Sequence, residues 1–149
     1  MSIVFREANS ADIPAILNLL RDDMLGSVRE HAEPQTYMRA FRDVEADPNN
    51  TIVVGDQGGE VVACYQLTFI PGLSLRASLR AQLEGVRVAG HMRGQRIGAA
   101  MIADAEARAR AAGCTLMQLT MNKGRTDTAR FYARVGFTPS HIGYKRDLT

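Results

Sequence analysis

At 149 residues and 46% hydrophobic content, the chain is long enough for one compact domain with a substantial core and too short for two ordinary ones. Its formal charge of +2 is spread, with Arg93, Arg96, Arg108, Arg110, Arg125, Arg130 and Arg134 interleaved with Asp104, Glu106 and Asp127, which weighs against nucleic acid as a partner. Cys64 and Cys114 lie far apart in apolar runs, giving neither a disulfide framework nor metal-ligand spacing; without a signal pattern or a membrane-length apolar run, the expectation is a soluble cytoplasmic domain with no metal.

Residues 2–6 read as a first strand, after which Ser10 is placed to cap a helix whose apolar stripe is Ile13, Ile16, Leu17, Leu20 and Met24, weakened at Gly26. A second helix begins near Pro34, carries Tyr37, Met38, Phe41 and Val44, and stops at Pro48. Residues 51–55 and 60–70 form a hairpin whose loop is Asp56-Gln57-Gly58-Gly59, with Val61, Ala63, Tyr65, Leu67 and Phe69 on one face of its second strand. Pro71-Gly72 ends that strand, and the stretch to Ser78 is an irregular loop carrying Leu73, Leu75 and Arg76. The next strand, 79–88, places Glu84, Val86 and Val88 on one face and Leu83, Gly85 and Arg87 on the other. A carboxylate in line with two valines stands either at a solvated sheet edge or in a site.

A long helix runs from 94 or 95 to 112 on the stripe Ile97, Met101, Ile102, Ala105 and Ala109, with Gly113 as its C-terminal cap. Residues 114–121 read as a strand, 127–135 as a short helix ended by Gly136, and 137–148 as one or two final strands. The alternation of strands and helices makes an α/β domain with a mixed sheet.

Between the strand ending at Val88 and the long helix lies Arg93-Gly94-Gln95-Arg96-Ile97-Gly98-Ala99, a junction able to hold an anionic group on backbone N–H groups at a helix start. A dinucleotide fingerprint needs three glycines and a ribose-binding acid after the next strand, and neither is clear; the Gly-Lys-Ser/Thr of an NTPase loop is absent, and a bland tight turn remains open. Residues 88–99 resemble the acetyl-CoA pyrophosphate loop, Gln/Arg-x-x-Gly-x-Gly/Ala, of the GNAT acetyltransferase superfamily. Downstream, Asn122 to Asp127 leading into Phe131-Tyr132-Ala133-Arg134-Val135-Gly136-Phe137 is similar to that superfamily's Asn region followed by Phe-Tyr-x-x-x-Gly-Phe.

The resemblance implies a single acyl-CoA N-acyltransferase domain over 1–149, with a mostly antiparallel central sheet flanked by helices and a splay between the fourth and fifth strands. It implies that the amides of Arg93, Gly94, Gln95, Arg96, Ile97, Gly98 and Ala99 cradle the pyrophosphate of acetyl-CoA. Main-chain groups of Val86 and Val88 would face the pantetheine arm, with an N–H near Val88 polarising the thioester. Arg96 stands where the superfamily has glycine, and ordinary helical geometry is expected there. Tyr132 matches the general acid that protonates the departing thiolate, giving CoA as product. Glu84 is the best available base, acting through a water and sharing a face with Val88. Asn122 matches an asparagine that contacts pantetheine, against a plain turn role, and Arg125 and Arg130 are placed to reach the adenosine phosphates.

On the acceptor side the resemblance points to the first two helices and the 71–79 loop, with Met24, Tyr37, Phe41 and Leu73 as lining and Arg76 and Arg80 as charged candidates. Those arginines favour a small-molecule primary amine that carries a carboxylate. Protein- or RNA-directed acetylation and a non-catalytic acyl-CoA-binding regulator are the alternatives. A homodimer through sheet or helix contact is compatible with the resemblance, and no residue fixes its surface.

Overall fold

The computed structural model describes residues 2–22 and 30–149, so Met24 and Gly26 lie outside the described residues. Along the chain come β1 (Val4–Glu7), α1 (Ile13–Arg21), α2 (Pro34–Ala46), β2 (Asn50–Gln57), β3 (Glu60–Ile70), β4 (Arg80–Val88), α3 (Ile97–Ala111), β5 (Leu116–Leu119) and α4 (Thr126–Arg134). The strands form a sheet in the order β1-β2-β3-β4-β5, antiparallel except for the parallel β4–β5 pair, which α3 connects as a crossover. This is the mixed, mostly antiparallel sheet with flanking helices that the sequence implied.

Four consecutive residues of β3, Val62, Ala63, Cys64 and Tyr65, are buried, so the middle of the sheet is covered on both faces. Ile16 and Leu19 of α1 and the stripe Ile97, Met101, Ile102, Ala105 and Ala109 of α3 join them in the core. The Tyr65 hydroxyl donates to Asp104 Oδ2 at 2.6 Å, and Arg108 Nε donates to the same oxygen at 2.8 Å, so a polar pair fixes α3 against β3. Burial pushes the Cys64 thiol up to about 12, as suits a small core hydrophobe.

Several local readings are corrected. Asn9, not Ser10, starts the first helical segment: its Oδ1 accepts from the Ala11 N–H at 2.9 Å, while Asp12 accepts from the Asn9 N–H at 2.8 Å. The β2–β3 loop is two residues, not four, because Gly58 and Gly59 both take positive φ (60° and 94°) and let Gln57 pair with Glu60. Within 71–79 the chain makes one left-handed turn, Ser74–Ala77, with Leu75, Arg76 and Ala77 at φ 53°, 60° and 57°. The final strands do not form: residues 138–149 are all exposed and pair with no strand among the described residues.

The face assignment of β4 also changes. Glu84 pairs with Gln66 and Arg87 with Cys64, so Gly85 and Val86 together oppose Tyr65. Gly85, at φ 59°, makes this a β-bulge that reverses the alternation. Glu84 therefore shares a face with Arg87, and Val88 with Leu83; Glu84 and Val88 are on opposite faces.

Candidate active site

β4 and β5 pair only from Arg80–Leu116 to Leu83–Leu119, yet β4 runs on to Val88. Beyond Leu83 the two strands part and leave a wedge lined on one side by the main chain of residues 84–88. The Ala89 N–H donates to Val62 O at 2.8 Å, which turns its neighbour's polar groups the other way. By the alternation of an antiparallel ladder, the Val88 N–H and C=O point into the wedge. Two main-chain groups unpaired among the described residues suit an amide-bearing arm.

At the same end of the sheet, residues 93–96 lead into α3. Gly94 has φ 82°, and a side chain built there would meet nothing among the described residues within 4 Å, so the loop presents open backbone. The first bond of α3 runs from the Ala100 N–H to Arg96 O at 3.2 Å. The N–H groups of Ile97, Gly98 and Ala99 thus head a helix of 15 residues without an intrahelical acceptor, as an anion site requires. Arg96 does not take the ordinary helical geometry expected of it: it caps α3 in the left-handed region at φ 62°, ψ 20°. The loop keeps a glycine-like backbone although the residue is arginine. Gly98 has a second role, since a Cβ there would stand 3.0 Å from Phe131 Cζ, so its bareness lets α4 pack against α3.

Tyr132 is positioned by how α4 ends. Gly136, at φ 101°, follows the helix; its N–H donates to Ala133 O, and the Phe137 N–H to Tyr132 O at 2.9 Å. This is a Schellman cap, whose usual apolar contact is here the Phe137 ring set edge-on to Tyr132, centroids 5.8 Å apart. The Phe131 ring also packs against Tyr132, tilted, with centroids 5.2 Å apart. Burial pushes the Tyr132 phenol upward, against the opposing pull of Arg125 and Arg87, so the hydroxyl is held as a neutral proton donor.

Asn122 forms a turn, its Oδ1 accepting from the Gly124 N–H at 3.0 Å. Arg125 lies at the start of α4 close enough to act on Tyr132, whereas Arg130 is exposed and bonded to Asp127 at 3.2 Å. Glu84 is exposed on β4 beside the bulge. Of the acceptor set, Phe41 is buried and lines a cleft of about 540 Å3 with Phe69, Arg108 and Ala111, at the C-terminal end of α3 and so far from the Arg93–Ala99 loop. The Tyr37 hydroxyl donates to Glu30 at 3.2 Å; Leu73 and Arg76 are exposed, and Arg80 donates to Gln118 Oε1 at 3.1 Å. These residues do not converge on one pocket.

Two contributors were given no site role by the sequence. Arg87 Nη1 donates to Val86 O at 2.9 Å beside the wedge, and its charge reaches Tyr132. Phe137 holds Tyr132 from outside the helix. For Arg87 the signal was Gly85, a glycine inside a strand, which marks a bulge.

A profile described as the acetyltransferase (GNAT) family matches residues 13–137. Over 131 residues, covering 85% of this chain and 84% of the relative, the sequence is 34% identical to the aminoalkylphosphonate N-acetyltransferase of Salmonella typhimurium. Among solved structures, one described as a transcriptional regulator from Bacillus halodurans superposes with a TM-score of 0.94 at 42% identity, covering 98% of this chain and 99% of that one. A putative acetyltransferase from Agrobacterium tumefaciens gives a TM-score of 0.87 at 26% identity, covering 97% and 99%.

Proposed function

The chain belongs to the acetyltransferase (GNAT) family, and we propose that it transfers an acetyl group from acetyl-CoA to the primary amine of a small molecule that carries an anionic group. The observation that carries this reading is the wedge beyond Leu83 and Leu119, with the bare start of α3 at the same end of the sheet and Arg87 of β4 near enough to act on Tyr132. In it the amides of the Arg93–Ala99 loop take the pyrophosphate, and the main chain of Val86 and Val88 takes the pantetheine arm. The neutral amine attacks the thioester carbonyl directly in a ternary complex. Negative charge then grows on the carbonyl oxygen, where the Val88 N–H meets it. As the carbon–sulfur bond breaks, Tyr132 gives its proton to the thiolate, and the proton lost by the ammonium leaves through water, with Glu84 as the nearest carboxylate on β4.

The anionic part of the acceptor follows from the Salmonella relative, whose name specifies an aminoalkylphosphonate, together with Arg87 and Arg125 near Tyr132. Arg76 and Arg80 stand further along β4 and its approach. A panel of amines with and without phosphonate or carboxylate groups, mixed with acetyl-CoA and read by thiol release and product mass, tests this. Turnover favouring anionic amines is expected; equal turnover of polyamines overturns the acceptor class.

A second reading, an acyl-CoA-binding regulator without turnover, is favoured by the likeness to the Bacillus halodurans protein described as a transcriptional regulator. Binding of acetyl-CoA with no thiol release across the panel would select it.

A further inference from the structure

Asn50, Thr68, Gln82 and Gln118 stand opposite one another across β2, β3, β4 and β5, and directly opposed residues share a face of the sheet. Gln66, opposite Glu84, extends that face one step towards the wedge, and Arg80 extends it one step the other way. Glu84 is the first residue of β4 beyond its last pair with β5, so the face ends at the mouth of the wedge. The row is half-buried and Glu84 is exposed. Side chains that were merely solvated would take water; these take one another.

Their bonds run in two chains, and a charge at the head of each fixes its direction. A guanidinium can only donate, so Arg80 Nη1 meets Gln118 through Oε1 at 3.1 Å. Gln118 Nε2 is thereby turned to Gln82 Oε1 at 2.7 Å, and Gln82 is left ending in Nε2. That last donor reaches only the carbonyl of its neighbour Leu83, at 3.4 Å. The second chain starts from a carboxylate, which can only accept. Asp47 Oδ2 accepts from Asn50 Nδ2 at 3.4 Å, so Asn50 Oδ1 faces the sheet and accepts from Gln66 Nε2 and Thr68 Oγ1, both at 2.9 Å. Gln66 therefore ends in Oε1, which has no hydrogen-bond partner among the described residues and lies on the strand position beside Glu84. Linked amides polarise one another, so Arg80 strengthens the donor at Gln82 and Asp47 the acceptor at Gln66.

From this we infer that the acceptor is a short zwitterion laid along β4 on this face, its ammonium on Gln66 Oε1 and Glu84 and its anionic group on Gln82 Nε2 under the charge of Arg80. The inference rests on the acetyl-transfer reading and deepens it, naming Gln66 and Gln82 as the residues that set specificity. Positions 82 and 84 of a strand are about 7 Å apart, which suits an amine two or three carbons from its anion. The orientation follows from the fold: the amine end lies at the wedge, where the thioester arrives in that reading, and the anion points away from it. Arg87, on the far side of Glu84, bonds Val86 O where the pantetheine arm enters, so the anion belongs to the Arg80 side. A polyamine would bring a second positive charge against Gln82 Nε2 and Arg80.

Steady-state kinetics with 2-aminoethylphosphonate, β-alanine and propylamine, each against acetyl-CoA, tests it. Gln82→Glu keeps the size of the side chain and its bond from Gln118 but puts a carboxylate where the donor was. It is expected to raise the KM of both anionic amines at least about tenfold relative to propylamine, with the KM for acetyl-CoA within about twofold. Gln118→Met cuts the link to Arg80 without adding charge, and is expected to shift the same ratio at least about threefold. Its effect decides the matter if Gln82→Glu does not fold. A native chain that prefers propylamine, or folded variants with unaltered discrimination, overturns the proposal. Failure of the native chain to acetylate any of the three amines counts against acetyl transfer itself, and calorimetry with 2-aminoethylphosphonate in the presence of CoA then judges the sheet face alone. Binding at least about tenfold tighter to the native chain than to Gln82→Glu sustains it, and equal or absent binding overturns it.

Discussion

Tyr132 is the residue on which the proposed chemistry turns, and its surroundings dictate how it should respond. Its phenol is raised by burial, so it remains a protonated donor through and beyond the ordinary phenol range. A general acid fails when it loses its proton. The alkaline limb of the kcat profile is therefore expected above about pH 10, the value of a free phenol. Tyr132→Phe keeps both ring contacts and removes only the hydroxyl, so an unchanged melting curve with a rate at least about tenfold lower is expected. Near-normal turnover would remove Tyr132 from the mechanism. Arg96 is the opposite case, a side chain in a backbone conformation that does not suit it. A non-glycine residue in the left-handed region costs about 1–2 kcal/mol, of which Arg96→Gly recovers part, since glycine also loosens the unfolded chain by about 0.4–1 kcal/mol. A modest rise in melting temperature is the expected result, read by calorimetry.

At the scale of elements, the caps explain why the motif residues are where they are. The Phe-Tyr-x-x-x-Gly-Phe pattern is a helix end: Tyr132 is the residue whose carbonyl the Phe137 N–H caps, and Gly136 is the residue that must turn left-handed to allow it. Gly136→Ala is expected to cost about 1–2 kcal/mol of stability by chemical denaturation and to lower kcat more than it raises the KM for acetyl-CoA, because it loosens Tyr132 rather than the loop proposed to hold the pyrophosphate. At the other end of the sheet, Arg6 holds Asp12 by two bonds of 2.8 and 3.0 Å and keeps that carboxyl below its usual range, despite its burial. A depressed carboxyl stabilises the fold above its unfolded value of 3.8 and loses that contribution as pH falls through the folded value. Asp12→Asn is therefore expected to lose about 1.5–3 kcal/mol at neutral pH and to show a flatter loss of stability below pH 4.

Periodicity made most of these elements legible, because α3 and β3 bury the very stripes their apolar residues mark. It misled at β4, where regular alternation was carried through Gly85. One extra residue at a bulge reverses every face after it, and only the pairing partners reveal that. Likewise the left-handed backbone at Arg96 is set by the turn into α3, not by the residue, and the residue type pointed the other way.

Across the whole molecule, burial is uneven in a way that bears on function. Every buried residue lies at or before Ala109; β5, α4 and the segment after it contribute none. The wedge is thus built between a firm wall, β4 on the core side, and a weakly held one, β5 with α4 and Tyr132. Short strands at an edge, paired over four residues and half-exposed, open locally at little cost, whereas β2 and β3 open only when the core does. Native-state hydrogen exchange should therefore divide the protein in two, with the amides of 116–137 exchanging far sooner than those of β3. Acetyl-CoA spanning the wedge would join the walls, so its addition is expected to slow exchange in Leu116–Leu119 and Thr126–Arg134 while leaving the β3 amides changed only by the global gain in stability. If the ligand instead protects the α3 start alone and leaves β5 and α4 as fast as before, it is held by the Arg93–Ala99 loop without entering the wedge. Acetyl transfer at Tyr132 would then need another geometry.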